Sequence, residues 1–377
     1  MDTTKKGKHK KIIQFGLILF FAAVIIVSAV LINQAQQTRS PDWSPITMQA
    51  GNVKIETNPK IELMSTIWML MQDSGEPCAQ IINNYQTPYV TAVRNTFSSY
   101  QEDDAVQMLK IINETNKRGI STIFEIALYL NDDFTLPTDG KTQIPAYILE
   151  GISNENLEQF ITACKNFAEK TEFLSFFYSQ SDYFKGLMQE GKTLLTNDMV
   201  DRFETYYGMK LSGYHMVLFP MRVPGGFGAR IEDEAKTEAY FLMAPDSEES
   251  YYPADGIQEL LWHEFSHSFV NTITQENGAL VDQCELSFNM VKVQMNQINY
   301  GDCKTFVDEG IIRSIVARLV LDSGDEARYQ EILKEQEDIG FIYTEALCTK
   351  LAEYEQNRDA YQTFEEFFPE LIAVLFH

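Results

Sequence analysis

The chain has 377 residues, enough for one large domain or two ordinary ones, and 45% hydrophobic with 12% aromatic content argues for a packed globular fold. Its 54 Asp and Glu against 30 Lys and Arg give a formal net charge of -24. So acidic a surface repels phosphate backbones, which counts against nucleic acid as a partner and says nothing sharper about substrate.

The chain opens with a lysine cluster, Lys5, Lys6, Lys8, Lys10 and Lys11, followed by an uncharged run from Ile12 to Ile32. At about 21 residues and 1.5 Å each, that run crosses a hydrocarbon core of about 30 Å. It exceeds the apolar core of a cleaved signal peptide, about 7–15 residues. The lysines before it and their absence just after predict a single-pass signal anchor, N-terminus in the cytoplasm and the rest outside, with a cleaved signal peptide and secretion as the alternative. The expected organisation is a tail over 1–11, a membrane span over 12–32, an extracellular stalk over 33–52 and a domain over 53–377. Within that domain 53–210 reads as helical and 211–377 as carrying a sheet and a metal site. The cysteines, Cys78, Cys164, Cys284, Cys303 and Cys348, contain no C-x-x-C pair, which excludes a zinc ribbon; a Cys284–Cys303 bridge stays open beside free buried thiols.

From about Pro59 to Gly208 the apolar residues recur mostly at helical spacing, including Ile61, Leu63, Ile67 and Leu70, then Val90, Val93 and Phe97. Ile120–Leu130 is an apolar stretch that would be buried, and the aromatic stripes of Phe160–Phe167 and Phe173–Tyr183 read as core. Leu136–Pro145 reads as a loop. Gly186-Leu-Met-Gln-Glu-Gly191-Lys192-Thr193 satisfies the phosphate-loop pattern, yet no apolar strand precedes it and Glu190 would put a negative charge among phosphates. A helix-loop-helix is the expectation there, and nucleotide binding is disfavoured. Tyr214–Pro220 and Glu238–Ala244 then read as short strands separated by a turn at Val223–Gly228.

Asp255–Asn271 organises the rest. It contains His263-Glu264-Phe265-Ser266-His267, an H-E-x-x-H motif. Ile257, Leu260, Leu261, Phe265 and Phe269 predict a packed helix, with Asp255 as N-cap and Gln258 as its capping-box partner. On a helix, residues four apart share a face, so His263 and His267 can present two imidazoles to one metal ion with Glu264 beside them as general base. A catalytic zinc needs a third protein ligand. The other histidines, His9, His215 and His377, do not extend the motif, so a carboxylate from a later helix is expected. Glu309, in Asp308-Glu309-Gly310 at the start of a helical run over Lys304–Leu321, is favoured; Glu285 competes. Arg313, four residues on, would orient Glu309, bind a substrate carboxylate, or form a plain surface ion pair.

His263–Asn271 (HEFSHSFVN) with Glu309–Arg313 (EGIIR) resembles an uncharacterised bacterial family, a domain of unknown function that is itself similar to the Glu-type zincin metallopeptidases. Weaker echoes at Ile61–Leu63, Phe97–Tyr100 and Gly119-Ile120 spread the likeness over most of the chain beyond the apolar run. The resemblance implies an α+β, mostly α, zincin-like fold with a small sheet beside the H-E-x-x-H helix. It implies Zn2+ held by His263, His267 and Glu309, with Glu264 as the catalytic acid and base, and no particular substrate; a peptide or protein is the substrate that the metallopeptidase reading expects. The oxyanion formed on attack needs a further donor, for which Tyr214, His215, Tyr240, Tyr251 and Tyr252 are the candidates. The alternative is a membrane-tethered binding or sensor module that keeps the fold without turnover.

Overall fold

A computed structural model describes residues 42–376 except 76, 117–120, 139–142, 197, 235, 248–255 and 299. The expected membrane span, with His9, Tyr251, Tyr252, Asp255 and His377, lies outside the described residues. Among the described residues no helix is long and apolar enough to cross a membrane.

The folded chain begins earlier than its sequence suggested. Ile46–Ala50 (β1) and Val53–Thr57 (β2) form an antiparallel hairpin over the two-residue turn Gly51-Asn52, where Gly51 adopts φ +56°. The end of the stretch expected as stalk is thus sheet. Alternation over five residues with one solvent-facing side is too short a signal to stand out from a polar linker.

A helical layer follows. Asn58 accepts a hydrogen bond from the Lys60 backbone N–H and Pro59 occupies the first turn, which starts Pro59–Asp73 (α1). Then come Pro88–Phe97 (α2), Asp104–Thr115 (α3), Thr122–Tyr129 (α4), Asn154–Lys170 (α5), Phe173–Ser179 (α6), Ser181–Lys192 (α7) and Met199–Tyr207 (α8). Their aromatic stripes are core, as periodicity predicts: Phe97 meets Phe167, Phe173 and Phe176 with ring centroids 5.0–6.1 Å apart. The phosphate-loop look-alike is not a loop. Gly186 and Gly191 lie inside α7, and Thr193 is its C-cap, so its backbone N–H groups are committed to helix and no cradle forms. The break expected there is absent.

Gly213–Leu218 (β3), Gly226–Glu232 (β4) and Thr237–Met243 (β5) complete a five-stranded mixed sheet in the order β1-β2-β3-β5-β4. β3 runs parallel to β2 and β5, and β4 lies antiparallel to β5 at the edge. The turn residues predict a loop over Val223–Gly228, but β4 starts at Gly226. A Cβ at Gly226 would lie 2.4 Å from the Phe241 ring, and one at Gly228 would lie 2.2 Å from the Glu264 carbonyl oxygen. Glycine serves strand packing here, not only turning.

The C-terminal layer is helical: Ile257–Glu276 (α9), the short Gly278–Val281 (α10), Glu285–Gln297 (α11), Cys303–Asp322 (α12), Glu326–Asp338 (α13), Thr344–Gln356 (α14) and Phe364–Ile372 (α15). α9 starts from Gly256 at φ +90° with no side-chain cap, so the expected capping box does not describe this helix start. α9 packs on β4, β5 and α12. The fold is therefore mostly helical α+β with a small mixed sheet.

One buried acid stands apart in the helical layer. Glu62 of α1 is fully buried and accepts a hydrogen bond from the Tyr89 hydroxyl at 2.6 Å. Burial pushes its pKa up to about 8, only partly offset by that bond. The folded state then binds a proton that the unfolded state has released above about 4.5, so stability falls as pH rises from there toward 8. Glu62→Gln should flatten that slope: wild-type melting temperature drops by several degrees between pH 5 and 8, and the variant's drops less. Thermal melts at fixed ionic strength decide it.

Candidate metal centre

α9 has two functional sides. Leu261, Phe265 and Phe269 are buried in an aromatic cluster, where Tyr207 stacks on Phe269 at 4.1 Å and Tyr214 and Phe241 approach Phe265. Each such aromatic contributes about 2–3 kcal/mol by burial, enough to hold the helix against the sheet. Phe265 is two positions from either histidine, about 200° around the helix. His263 and His267 therefore point away from that cluster, one above the other.

α12 meets them there. His263 Nε2 lies 3.4 Å from Glu309 Oε2, and His267 Nε2 lies 3.6 Å from Glu309 Oε1. One ligand atom from each of the three lies within 4.8 Å of the others. The spacing suits a metal ion. Ligand atoms about 2.0–2.1 Å from a tetrahedral zinc stand about 3.3 Å apart, close to the two distances observed. Two imidazoles and a carboxylate are also a donor set that catalytic zinc uses. Glu285 is exposed at the start of α11 and takes no part in the triad.

The surroundings hold the donors in place. His267 Nδ1 is 3.1 Å from Asn271 Oδ1, which as acceptor keeps the proton on Nδ1 and leaves Nε2 free. Arg313 Nε donates to Glu309 Oε2 at 3.2 Å, while its Nη1 and Nη2 donate to Gln336 and Tyr300 and its guanidinium lies over the Phe341 ring. Of the three roles open for Arg313, its contacts are those of a residue that orients Glu309. Thr274 of α9 donates to Asp308 Oδ1 at 2.5 Å, tying the two helices together one residue from Glu309. Glu309 is 6% exposed. Burial raises its pKa, but His263, His267 and Arg313 outweigh that and hold it down at about 2. Glu264 is 7% exposed, and its backbone runs against Gly228 of β4. Beside His267 and Glu309 a cavity of about 500 Å3 opens, lined by Glu125, Tyr147, Arg230, Asn271, Gln275 and Lys304 among others.

The proposed oxyanion donors that are described do not border this site. His215 and Tyr240 are register partners on β3 and β5, on the sheet face opposite Tyr214 and Phe241, which face α9. Their rings stack at 4.2 Å. Tyr214 does face α9, but on the Phe265 side, away from the imidazoles. Strand parity decides this, and it cannot be read without knowing which face α9 covers. Sequence reading also missed Asn271 and Thr274; the first stands at helical spacing from His267, whereas nothing local marks the second. Cys284 and Cys303 are both buried free thiols.

His215 has its own role. Its Nδ1 is 3.3 Å from Glu56 Oε2 and its Nε2 3.6 Å from Glu238 Oε1, linking β2, β3 and β5. Burial works against the charged ring, but bonds to Glu238 and Glu56 outweigh it and raise its pKa. The His215 bond in turn holds Glu238 down at about 2. The raised histidine contributes stability below its unfolded value of about 6.5, lost as pH rises through the folded value; the lowered Glu238 contributes above about 4.5, lost as pH falls toward 2. His215→Gln should therefore lower the melting temperature most between about pH 4.5 and 6.5, with the loss shrinking as pH rises through the folded histidine's raised pKa. An equal loss at every pH would mean that packing alone is at stake.

A family model described as Domain of unknown function (DUF4932) matches residues 53–374. No curated protein and no solved structure matches the chain.

Proposed function

The chain belongs to the DUF4932 family, whose description assigns no activity, and we propose that it is a zinc-dependent metallopeptidase of the Glu-type zincin kind. The observation that carries this reading is the convergence of His263 and His267 of α9 with Glu309 of α12, beside a buried carboxylate, Glu264. Zinc, when bound, would act as a Lewis acid and bring the pKa of a coordinated water down to about 7. The chain's own residues do the rest. His263 and His267 offer Nε2, and Asn271 fixes the His267 ring by its contact at Nδ1. Arg313 steadies Glu309 from behind. Glu264 takes a proton from water on its carboxylate and delivers it to the leaving amine nitrogen, a role that a pure binding module would not need. The edge strand β4 passes Glu264 at Gly228, so the strand offers backbone groups along which an extended peptide can lie. At Arg230 the β4 carbonyl already accepts from the Tyr129 hydroxyl at 3.1 Å, which leaves the Gly226–Gly228 end for substrate. The apolar run and lysine cluster before the domain favour attachment to a membrane with the site outside.

Metal analysis of the full-length protein tests this. One zinc per chain is expected in wild type, lost in Glu309→Ala and kept in Glu285→Ala. Arg313→Met should weaken zinc binding by about 10–100-fold. Glu264→Gln should keep its zinc while peptide cleavage falls by about 10²–10⁴-fold. A well-folded wild type without zinc would end the metallopeptidase reading.

A further inference from the structure

α11 carries a stripe that its own fold leaves uncovered. Leu286, Met290 and Val293, at spacings of four and three, share one face of the helix and are 72%, 67% and 70% exposed. The other face, with Phe288, Val291 and Met295, is buried. The stripe continues off the helix. The Tyr343 hydroxyl lies 3.6 Å from Met290 Sδ, and a Cβ on Gly340 would stand 2.9 Å from Gln294 Cβ, so the turn between α13 and α14 abuts α11. Ile339 and Ile342, 37% and 46% exposed, flank that contact. Of the seven large hydrophobic side chains exposed among the described residues, five therefore lie in one patch. Single exposed apolar residues are ordinary, but a contiguous patch marks a docking surface.

Charge narrows what can dock there. The chain carries a net charge of -24, so two copies repel over most of their surface. α11 holds one acid and one base, Glu285 and Lys292, and is neutral overall. Both are exposed, about two turns apart on one flank of the stripe. Consider an antiparallel pair of α11 helices related by a two-fold axis near Asn289 and Met290. Leu286 of each copy then faces Val293 of the other. The same operation sets Glu285 of each copy beside Lys292 of the other, about 3 Å apart along the helix axis at 1.5 Å per residue. A parallel pairing would set acid against acid. The stripe is therefore self-complementary in the antiparallel sense, the isologous arrangement of a two-fold dimer.

We propose that α11, with Ile339 and Ile342 at its edge, is the interface at which two copies of this chain pair. The pairing is independent of the metallopeptidase reading. A stripe about 20 Å long is at the small end of stable interfaces, which sets the expected dissociation constant on the order of micromolar.

Sedimentation of the full-length protein in detergent, from about 1 to 100 µM, tests this. Wild type should show a monomer–dimer equilibrium. Val293→Glu, at a site exposed enough for the monomer's fold to tolerate it, should leave only monomer. Glu285→Lys and Lys292→Glu should each weaken the dimer by about 5–30-fold, because two ion pairs become two repulsions, and the double exchange should restore it to within about twofold. That restoration also shows that the variants fold. Wild type that stays monomeric overturns the proposal; if the α11 amides then exchange slowly only in phosphatidylcholine nanodiscs, a lipid surface covers the stripe instead. A dimer that survives Val293→Glu, or single charge variants that the double exchange does not rescue, overturns it too.

Discussion

A buried carboxylate must be paired, and the pairing of Glu309 constrains everything around it. An unpaired ion at that depth would cost several kcal/mol, so α12 has to present Glu309 to cationic or donor groups on more than one side. Arg313 does so from one helical turn further along α12, and His263 and His267 do so from α9. The two helices supply those partners together, from facing positions. Thr274 and Asp308 lock that arrangement by a bond between α9 and α12, so the triad's geometry and the helix packing are one solution.

The sheet then divides the remaining polar groups between two sides. The side facing α9 carries Tyr214 and Phe241 and leaves glycine at 226 and 228, which lets the edge strand come against the Glu264 turn. The other side carries Glu56, His215, Glu238 and Tyr240, a bonded cluster whose charges satisfy one another. A histidine stacked on a tyrosine within an H-E-x-x-H protein invites a catalytic reading. Its neighbours here make it a clasp between strands β2, β3 and β5.

Arginine use follows the same logic of compensation. In a chain with such an excess of acid, a carboxylate is the expected partner of every guanidinium, and most find one. Arg222 is held by its backbone and an aromatic ring in place of a carboxylate.

What the sequence determined alone is local. The imidazole pair four residues apart, the apolar spacing of α9 and α12, and the strands β3 and β5 all rest on periodicity and immediate neighbours, which a single helix or strand expresses by itself. Contacts between distant segments were decided only by tertiary structure. The hairpin of β1 and β2 looked like linker because its short alternation gains meaning from the parallel neighbour, β3, more than 150 residues later. Gly226 and Gly228 looked like turn because the ring and the carbonyl that demand glycine there belong to β5 and α9 respectively. His215 and Tyr240 looked like donors to the site because side-chain parity acquires a direction only when a helix covers one face. In each case the missing term is a long-range contact, and one-dimensional spacing does not encode which partner will fill it.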